Sequence, residues 1–430
     1  MLQPYRDVLS RPGALAFSSS GTLARLPMSM IGIGIVLMVS ALYDSYGLAG
    51  RVSAVYVTAQ ALCSPQIARL VDRFGQARVM RPAVAVSATG TVTLVILAST
   101  HAPEAALYVA AVVTGGAIGS FGSLVRARWS RVLGRDPRRL HTAYSLESAL
   151  DELVFIVGPV LATVLATSVN PVAGLVVPLV GMIGGGYWFL SLRASEPPVA
   201  PHDAPRPRGS VLRNPGMIVL AVVFVAMGSI FGATDVSTVA FAEEEGNKGV
   251  AGVILAVFAL GSMLSGLAYG ARHWVRPLWQ RFAIGMIGLA VGASLFVAVD
   301  SLPALAAVMF VTGIAIAPTL VNGNGLVQDL VPPERLTEGL TWVGTSLGVG
   351  VSVGSSIAGA QIDAHGSRSG FLVVVVSAVC AVLATFVALR TLRPRTPSPA
   401  LPTPRPGDEG PATPQVSAAA GPAPDDLAHE

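Results

Sequence analysis

Three carboxylates, Glu147, Asp151 and Glu152, crowd into six consecutive positions just ahead of forty residues, 153–192, that carry no charge. On a helix Glu147 and Asp151 are one turn apart and share a face, while Glu152 is turned about 100° away. In apolar surroundings such acids cannot all stay ionised without a cation, and a carboxyl group that loses and regains a proton is what proton coupling requires. Arg25, in Leu23-Ala24-Arg25-Leu26-Pro27, is the one basic residue well inside the first apolar stretch, and it is the expected counter-ion for Asp151 or Glu152. A static ion pair that pins the two segments together is the competing reading. Glu147, nearer a group of arginines, is expected to sit in a fixed pair; Asp235 reads equally as a second relay or as a solvated residue at a cavity mouth. Asn322, Asn324, Phe231 and Trp342 could line a polar route, with packing or lipid contact the competing reading for the two aromatics.

Other chemistries find little footing. The six histidines fall at the ends of apolar stretches or outside them, and Cys63 and Cys380 stand far apart without ligand-type spacing, so neither a histidine relay, a metal site nor a disulfide framework is expected. A phosphate-binding Gly-x-x-x-x-Gly-Lys loop needs a lysine, and Lys248 is the only one. No cofactor, no ATP hydrolysis and no enzyme activity are expected.

The elements that must hold these groups follow from composition. Of 430 residues, 52% are hydrophobic and 12% charged, against roughly 25% charged in soluble domains. Charge-free blocks of this length read as membrane-spanning helices, since about 20 residues at 1.5 Å each cross the hydrocarbon layer. Twelve are predicted, at 14–43, 51–71, 79–100, 104–132, 142–167 and 171–193, then at 215–242, 249–271, 280–299, 303–330, 336–363 and 369–392, with Asn170-Pro171 dividing the forty-residue block. With both termini cytoplasmic, only Arg51, Lys248 and Arg368 fall outside and the other 25 of 28 basic residues lie inside, among them Arg126, Arg128, Arg131, Arg135, Arg138 and Arg139. These would meet anionic inner-leaflet lipid. The net charge of +4 is therefore a matter of topology, and nucleic acid is not an expected partner. The N-terminus lacks the features of a cleaved signal, so the first span is expected to stay in the protein.

The chain also repeats itself. Val113-Thr114-Gly115-Gly116-Ala117-Ile118 matches Val311-Thr312-Gly313-Ile314-Ala315-Ile316 at an offset of 198, and Arg139-Leu140 matches Arg335-Leu336 at 196, the shift that also carries Gly158 onto Gly354. Two six-helix halves in the same orientation are implied: 1–193 and 215–393, joined by a proline-rich linker, 194–214. The stretch 394–430, with ten prolines in 37 residues, is expected to be a disordered cytoplasmic tail.

After the second predicted helix comes Ala68-Arg69-Leu70-Val71-Asp72-Arg73-Phe74-Gly75-Gln76-Ala77-Arg78. This resembles the signature of the major facilitator superfamily for the loop between helices two and three, matching at Leu70, Asp72, Arg73 and Gly75 and departing at Ala68 and Gln76. Gly75 would permit a tight turn, Arg73 and Arg78 would favour the negative end of the second helix, and Asp72 needs a partner or a helix N-terminus. The resemblance implies that Asp72, Arg73 and Gly75 latch a cytoplasmic gate. The counterpart in the second half, Gly266 to Arg272, keeps the small residues and lacks the acid. Gly158-Pro159 resembles the centre of a motif of the superfamily's antiporters, although Val154, Ala162 and Thr163 stand where its flanking glycines would be; a simple proline kink is the other reading. The superfamily's cavity is lined by helices one, four, seven and ten, which favours Arg25, Asp235, Asn322 and Asn324.

The expectation is an all-α membrane protein of twelve transmembrane helices in two pseudo-symmetric six-helix bundles. It is expected to be a monomeric, multi-pass secondary transporter of a bacterial-type inner (plasma) membrane, exporting a small amphipathic compound in exchange for protons carried by Asp151 and Glu152. A proton-coupled importer of a sugar or other metabolite, and a receptor or scaffold that does not transport, remain open.

Overall fold

The structure is a computed structural model that describes residues 3–134, 136–199, 209–272 and 274–392. Arg135, the middle of the linker and the expected tail lie outside these residues. The described chain is helical: α1 (Gln3–Leu9), α2 (Ala14–Tyr43), α3 (Tyr46–Phe74), α4 (Gln76–Ser99), α5 (Glu104–Ala117), α6 (Phe121–Leu133), α7 (Pro137–Ser168), α8 (Ala173–Val180), α9 (Gly186–Ser191), α10 (Pro215–Glu244), α11 (Ala251–Gly270), α12 (Leu278–Ser294), α13 (Leu302–Gly313), α14 (Ile316–Leu330), α15 (Leu336–His365) and α16 (Ser367–Leu392). Eleven helical segments among the described residues are long and apolar enough to cross a membrane. The twelfth element, α3, is equally long at 29 residues, but Arg51, Gln60, Gln66, Arg69, Asp72 and Arg73 dilute its apolar character.

Local chemistry sets the boundaries. Asp136 accepts from the backbone N–H groups of Arg138 and Arg139, and Pro137 takes the first helical position, so α7 starts five residues earlier than its hydrophobicity suggests. Asn214 and Pro215 open α10 in the same way. After α7, Asn170 Oδ1 accepts from Val172 N at 3.0 Å, which makes the predicted turn. The short α1 went unpredicted because seven residues are too few for periodicity to register.

Two predicted spans are not continuous. The fourth is broken between Ala117 and Phe121, with Gly119 at φ +63°, and the tenth is broken between Gly313 and Ile316. The break at 314–315 lies inside the repeated segment 311–316, and the break at 118–120 begins at the last residue of its counterpart 113–118, so each copy of the repeat has an interruption of helix in it or at its edge. The sixth span contains a π-turn, Gly181–Gly185, between α8 and α9.

Buried apolar residues form two clusters. One gathers Phe17, Ile35, Leu94, Leu124, Trp129 and Phe189 from the first half, joined by Tyr269 and Val321. The other gathers Phe224, Phe241, Phe282, Phe296, Leu340 and Phe371. Large apolar side chains such as Leu62, Val109, Val169, Val291, Val376 and Val387 are exposed on the outside, as suits a surface solvated by hydrocarbon.

The two halves meet at the end where the arginine-rich loops gather, here the basic end. Tyr5 on α1 donates to Leu267 O at 2.6 Å, Thr142 to Gly270 O at 2.7 Å, Arg69 to Glu338 at 3.0 Å, and Gln328 to Tyr144. Farther along α7, Ser262 on α11 donates to Glu152 at 2.6 Å. The basic end is therefore closed by hydrogen bonds between halves.

Candidate functional site

The first half contains a charge-balanced network. Arg25 on α2 reaches Glu147 Oε2 at 2.5 Å and Asp151 Oδ1 at 2.6 Å, one helical turn apart on α7. Its remaining N–H groups go to Gly21 O at 3.1 Å and Thr22 Oγ1 at 3.2 Å. The other carboxylate oxygens are also engaged. Glu147 Oε1 accepts from Ser18 Oγ and Trp129 Nε1, both at 2.7 Å, and Asp151 Oδ2 accepts from Arg126 Nη2 at 2.8 Å. Two cations face two anions, and the side chains of Arg25 and Glu147 are 1% and 0% exposed. Buried ions need this degree of satisfaction, since removal from water costs several kcal/mol per ion.

Glu152 has a different environment. The 100° turn that separates it from Asp151 aims it away from Arg25 and across to α11, where the Ser262 hydroxyl is its hydrogen-bond donor. Of the two counter-ions expected for Arg25, Asp151 is paired with it, along with Glu147, and Glu152 is not, because the two faces of α7 look at different helices. Glu152 lies 15 residues into the 32-residue α7, about 22 Å along it. Asp235 is exposed, 20 residues into α10, and is not brought to the network.

At the basic end, Asp72 accepts from the backbone N–H groups of Thr337 at 3.3 Å and Glu338 at 2.8 Å, at the start of α15. This is the helix N-terminus its charge calls for. Glu338 in turn is fully buried and accepts from Arg69 at 3.0 Å, Arg335 at 2.6 Å and Val211 N at 3.1 Å. The linker is stitched in at both ends, since Ser210 also donates to Glu338 and Glu196 accepts from Ala77 N at the start of α4.

The sequence profile of the Major Facilitator Superfamily matches residues 17–286 and 247–421. The chain belongs to the major facilitator superfamily. It is accordingly a membrane transporter and not an enzyme. Among solved structures, the human organic anion transporter MFSD10 (TETRAN) is similar at a TM-score of 0.63 and 13% identity, covering 90% of this chain and 99% of that one. A bacterial homologue of the iron transporter ferroportin, in an outward-facing state with soaked iron, is similar at 0.68 and 14% identity, covering 88% and 98%. A second crystal structure of a bacterial ferroportin homologue in an outward-facing state gives the same values. No curated protein sequence matches significantly.

Within the superfamily's loop signature, Gly75 takes φ +93° between α3 and α4, a conformation that favours glycine. The basic residue that crosses to the other half is Arg69. Arg73 is exposed and lies over the Phe74 ring at 5.0 Å, and Arg78 is exposed. Gln76, a departure from the signature, is buried and accepts from Arg128 Nε at 2.8 Å while donating to Leu124 O at 3.2 Å. Arg128 itself is fully buried, stacked on Phe189 at 3.7 Å, so it and Arg126 belong to the interior and not to a loop.

A side chain at Gly158 would run into Ser29 Oγ and Met30, and Ser29 donates to Val154 O at 3.0 Å; close approach of α2 and α7 accounts for this glycine. Pro159 sits within α7 without ending it. Asn322 is buried and paired with the Tyr269 hydroxyl at 2.9 Å, tying α14 to α11, whereas Asn324 is half-buried. Phe231 and Trp342 pack against the second apolar cluster, and Trp342 Nε1 is buried without a partner. Sequence reasoning missed Glu338, Ser262, Ser18 and Trp129. Glu338, an acid three residues after Arg335 at a helix start, offered a signal; a serine or tryptophan among many offered none.

Proposed function

We propose that this transporter exports small amphipathic organic compounds in exchange for protons, in a bacterial-type inner membrane with both termini and the basic end cytoplasmic. In that orientation a closed basic end is the outward-facing arrangement. The observation that carries the reading is Glu152: near the middle of α7, bonded to a hydroxyl of the opposite half, and without the arginine partners that neutralise Glu147 and Asp151. The arrangement favours Glu152 over Asp151 as the proton acceptor, with Arg25, Arg126, Glu147 and Asp151 as a fixed framework.

The geometry suggests how a proton would act. A hydroxyl donating to an ionised carboxylate makes a charge-assisted bond, roughly twice as strong as its neutral counterpart. A proton taken up by Glu152 from the outer side weakens the bond to Ser262, one of the contacts that hold α11 against α7. The halves then rock about their interface, the Asp72 latch parts from α15, and the cavity opens inward, where the proton leaves and substrate enters.

The test uses proteoliposomes holding the purified protein and a panel of cationic dyes and drugs, with an interior pH indicator. Proton movement on substrate addition in wild type, its loss in Glu152→Gln, and its persistence in Ser262→Ala at altered rate support the reading. Proton movement unchanged in Glu152→Gln refutes this carrier. Accumulation of a labelled sugar or metabolite with protons identifies an importer.

A further inference from the structure

Beside the turn between α1 and α2, the surface of the first half holds a concavity of about 420 Å³ whose walls include Leu9, Arg11, Leu15, Ala16, Ser19 and Trp188. Arg11 is the cation there. Its Nε is buried without a hydrogen-bond partner, and among the described residues no carboxylate pairs with it; the nearest acid in sequence, Asp7, is taken by Arg139 at 3.0 Å. Arg11 thus lines the concavity as a cation without a carboxylate, and a cation at a membrane surface attracts an anionic group from outside the chain.

The apolar side of the concavity limits which anion. Leu15 is 61% exposed and Trp188 is 44% exposed. Below them α2 and the sixth span touch where Leu23 meets Gly181 and Gly185, and Leu23 and Ile183 continue the exposed apolar track. Trp188 lies three residues before the end of α9, about 4.5 Å from it, a depth at which indole rings mark the boundary between headgroups and acyl chains. A free phosphate would satisfy the guanidinium and leave this track bare. A zwitterionic headgroup brings its own cation against Arg11.

We infer that this concavity binds one anionic phospholipid, its phosphate on Arg11 and an acyl chain along Leu15, Leu23 and Trp188. The site rests on the membrane placement of the basic end proposed above, and not on the coupling ion or the direction of transport.

The test places the purified full-length protein in nanodiscs of phosphatidylcholine with increasing phosphatidylglycerol, one lipid at a time carrying brominated acyl chains that quench tryptophan on contact. The contribution of Trp188 is the difference between wild type and Trp188→Phe. Because these discs present both lipids on both faces, the result is independent of orientation and of transport. Brominated phosphatidylglycerol is expected to quench Trp188 at a mole fraction about fivefold lower than brominated phosphatidylcholine, the scale of one basic side chain acting on an anionic headgroup. Arg11→Gln should remove the preference, Arg11→Lys should keep it, and excess inorganic phosphate should leave the quenching unchanged. Equal quenching by the two lipids in wild type, a preference that survives Arg11→Gln, or displacement by phosphate overturns the inference.

Discussion

Removing the charge of Arg25 tests whether the network is held by charge balance. Arg25→Gln leaves Glu147 and Asp151 facing Arg126 alone, one uncompensated negative charge where there was none. Breaking a buried pair costs about 3–5 kcal/mol because the abandoned ion stays buried. The Asp151 side chain is 21% exposed, so solvent absorbs part of the cost and about 3 kcal/mol is the better figure. For a compact unit of about 390 residues that corresponds to a fall in Tm of about 3–5 °C, read from intrinsic fluorescence of detergent-purified protein on heating. The double variant Arg25→Gln with Asp151→Asn removes one charge of each sign and should regain more than half of the loss. If the single variant shifts Tm by less than about 2 °C, or the double variant falls as far as the single, charge balance is not what holds α2 to α7.

Three further outcomes concern the gate and the packing. Asp72→Ala removes the acceptor of two N–H groups at the start of α15, about 1–2 kcal/mol, and should raise the open-to-closed ratio at the basic end some 5–30-fold; spin labels at Arg131 and Arg276, both exposed, read it as a longer distance population, and an unchanged distribution would contradict the latch. Tyr5→Phe deletes the hydroxyl that donates to Leu267 O, and the loss of about 1 kcal/mol should shift the same distribution in the same direction by roughly fivefold. Gly158→Val places a branched side chain against Ser29 and Met30 and should cost about 1–3 kcal/mol, with Gly158→Ala milder, measured as the yield of monodisperse protein; equal yields would mean that α2 and α7 can part freely.

Much of the architecture was legible in one dimension, because the bilayer makes span length and charge placement into strong constraints. The helices lie close to their predicted positions, and the period of 3.6 residues correctly separated the face of Glu147 and Asp151 from that of Glu152. Boundaries were missed where polar caps outweighed hydrophobicity, as at Asp136 and Pro137. The breaks in the fourth and tenth spans were missed because a glycine-rich apolar run reads alike whether continuous or interrupted. The repeat, seen only as a likeness of residues, turned out to have a break within or at the edge of each copy.

Sequence alone determined that the chain spans a membrane through a helical, internally repeated array, that few charges lie within it, and that Asp72 needs a partner or a helix N-terminus. These follow from transfer free energies and helix geometry, which are local. Which charge meets which was decided only by the packing of helices distant in the chain. Arg25 could have served Glu152, and does not, since α7 presents one face to α2 and the other to α11. Arg69, and not Arg73, crosses to Glu338: the two share a face of α3, but Arg73 lies one turn farther along it, and its guanidinium rests on Phe74. Pairings of this kind depend on distances between elements a hundred or more residues apart, and periodicity within one element carries no information about them.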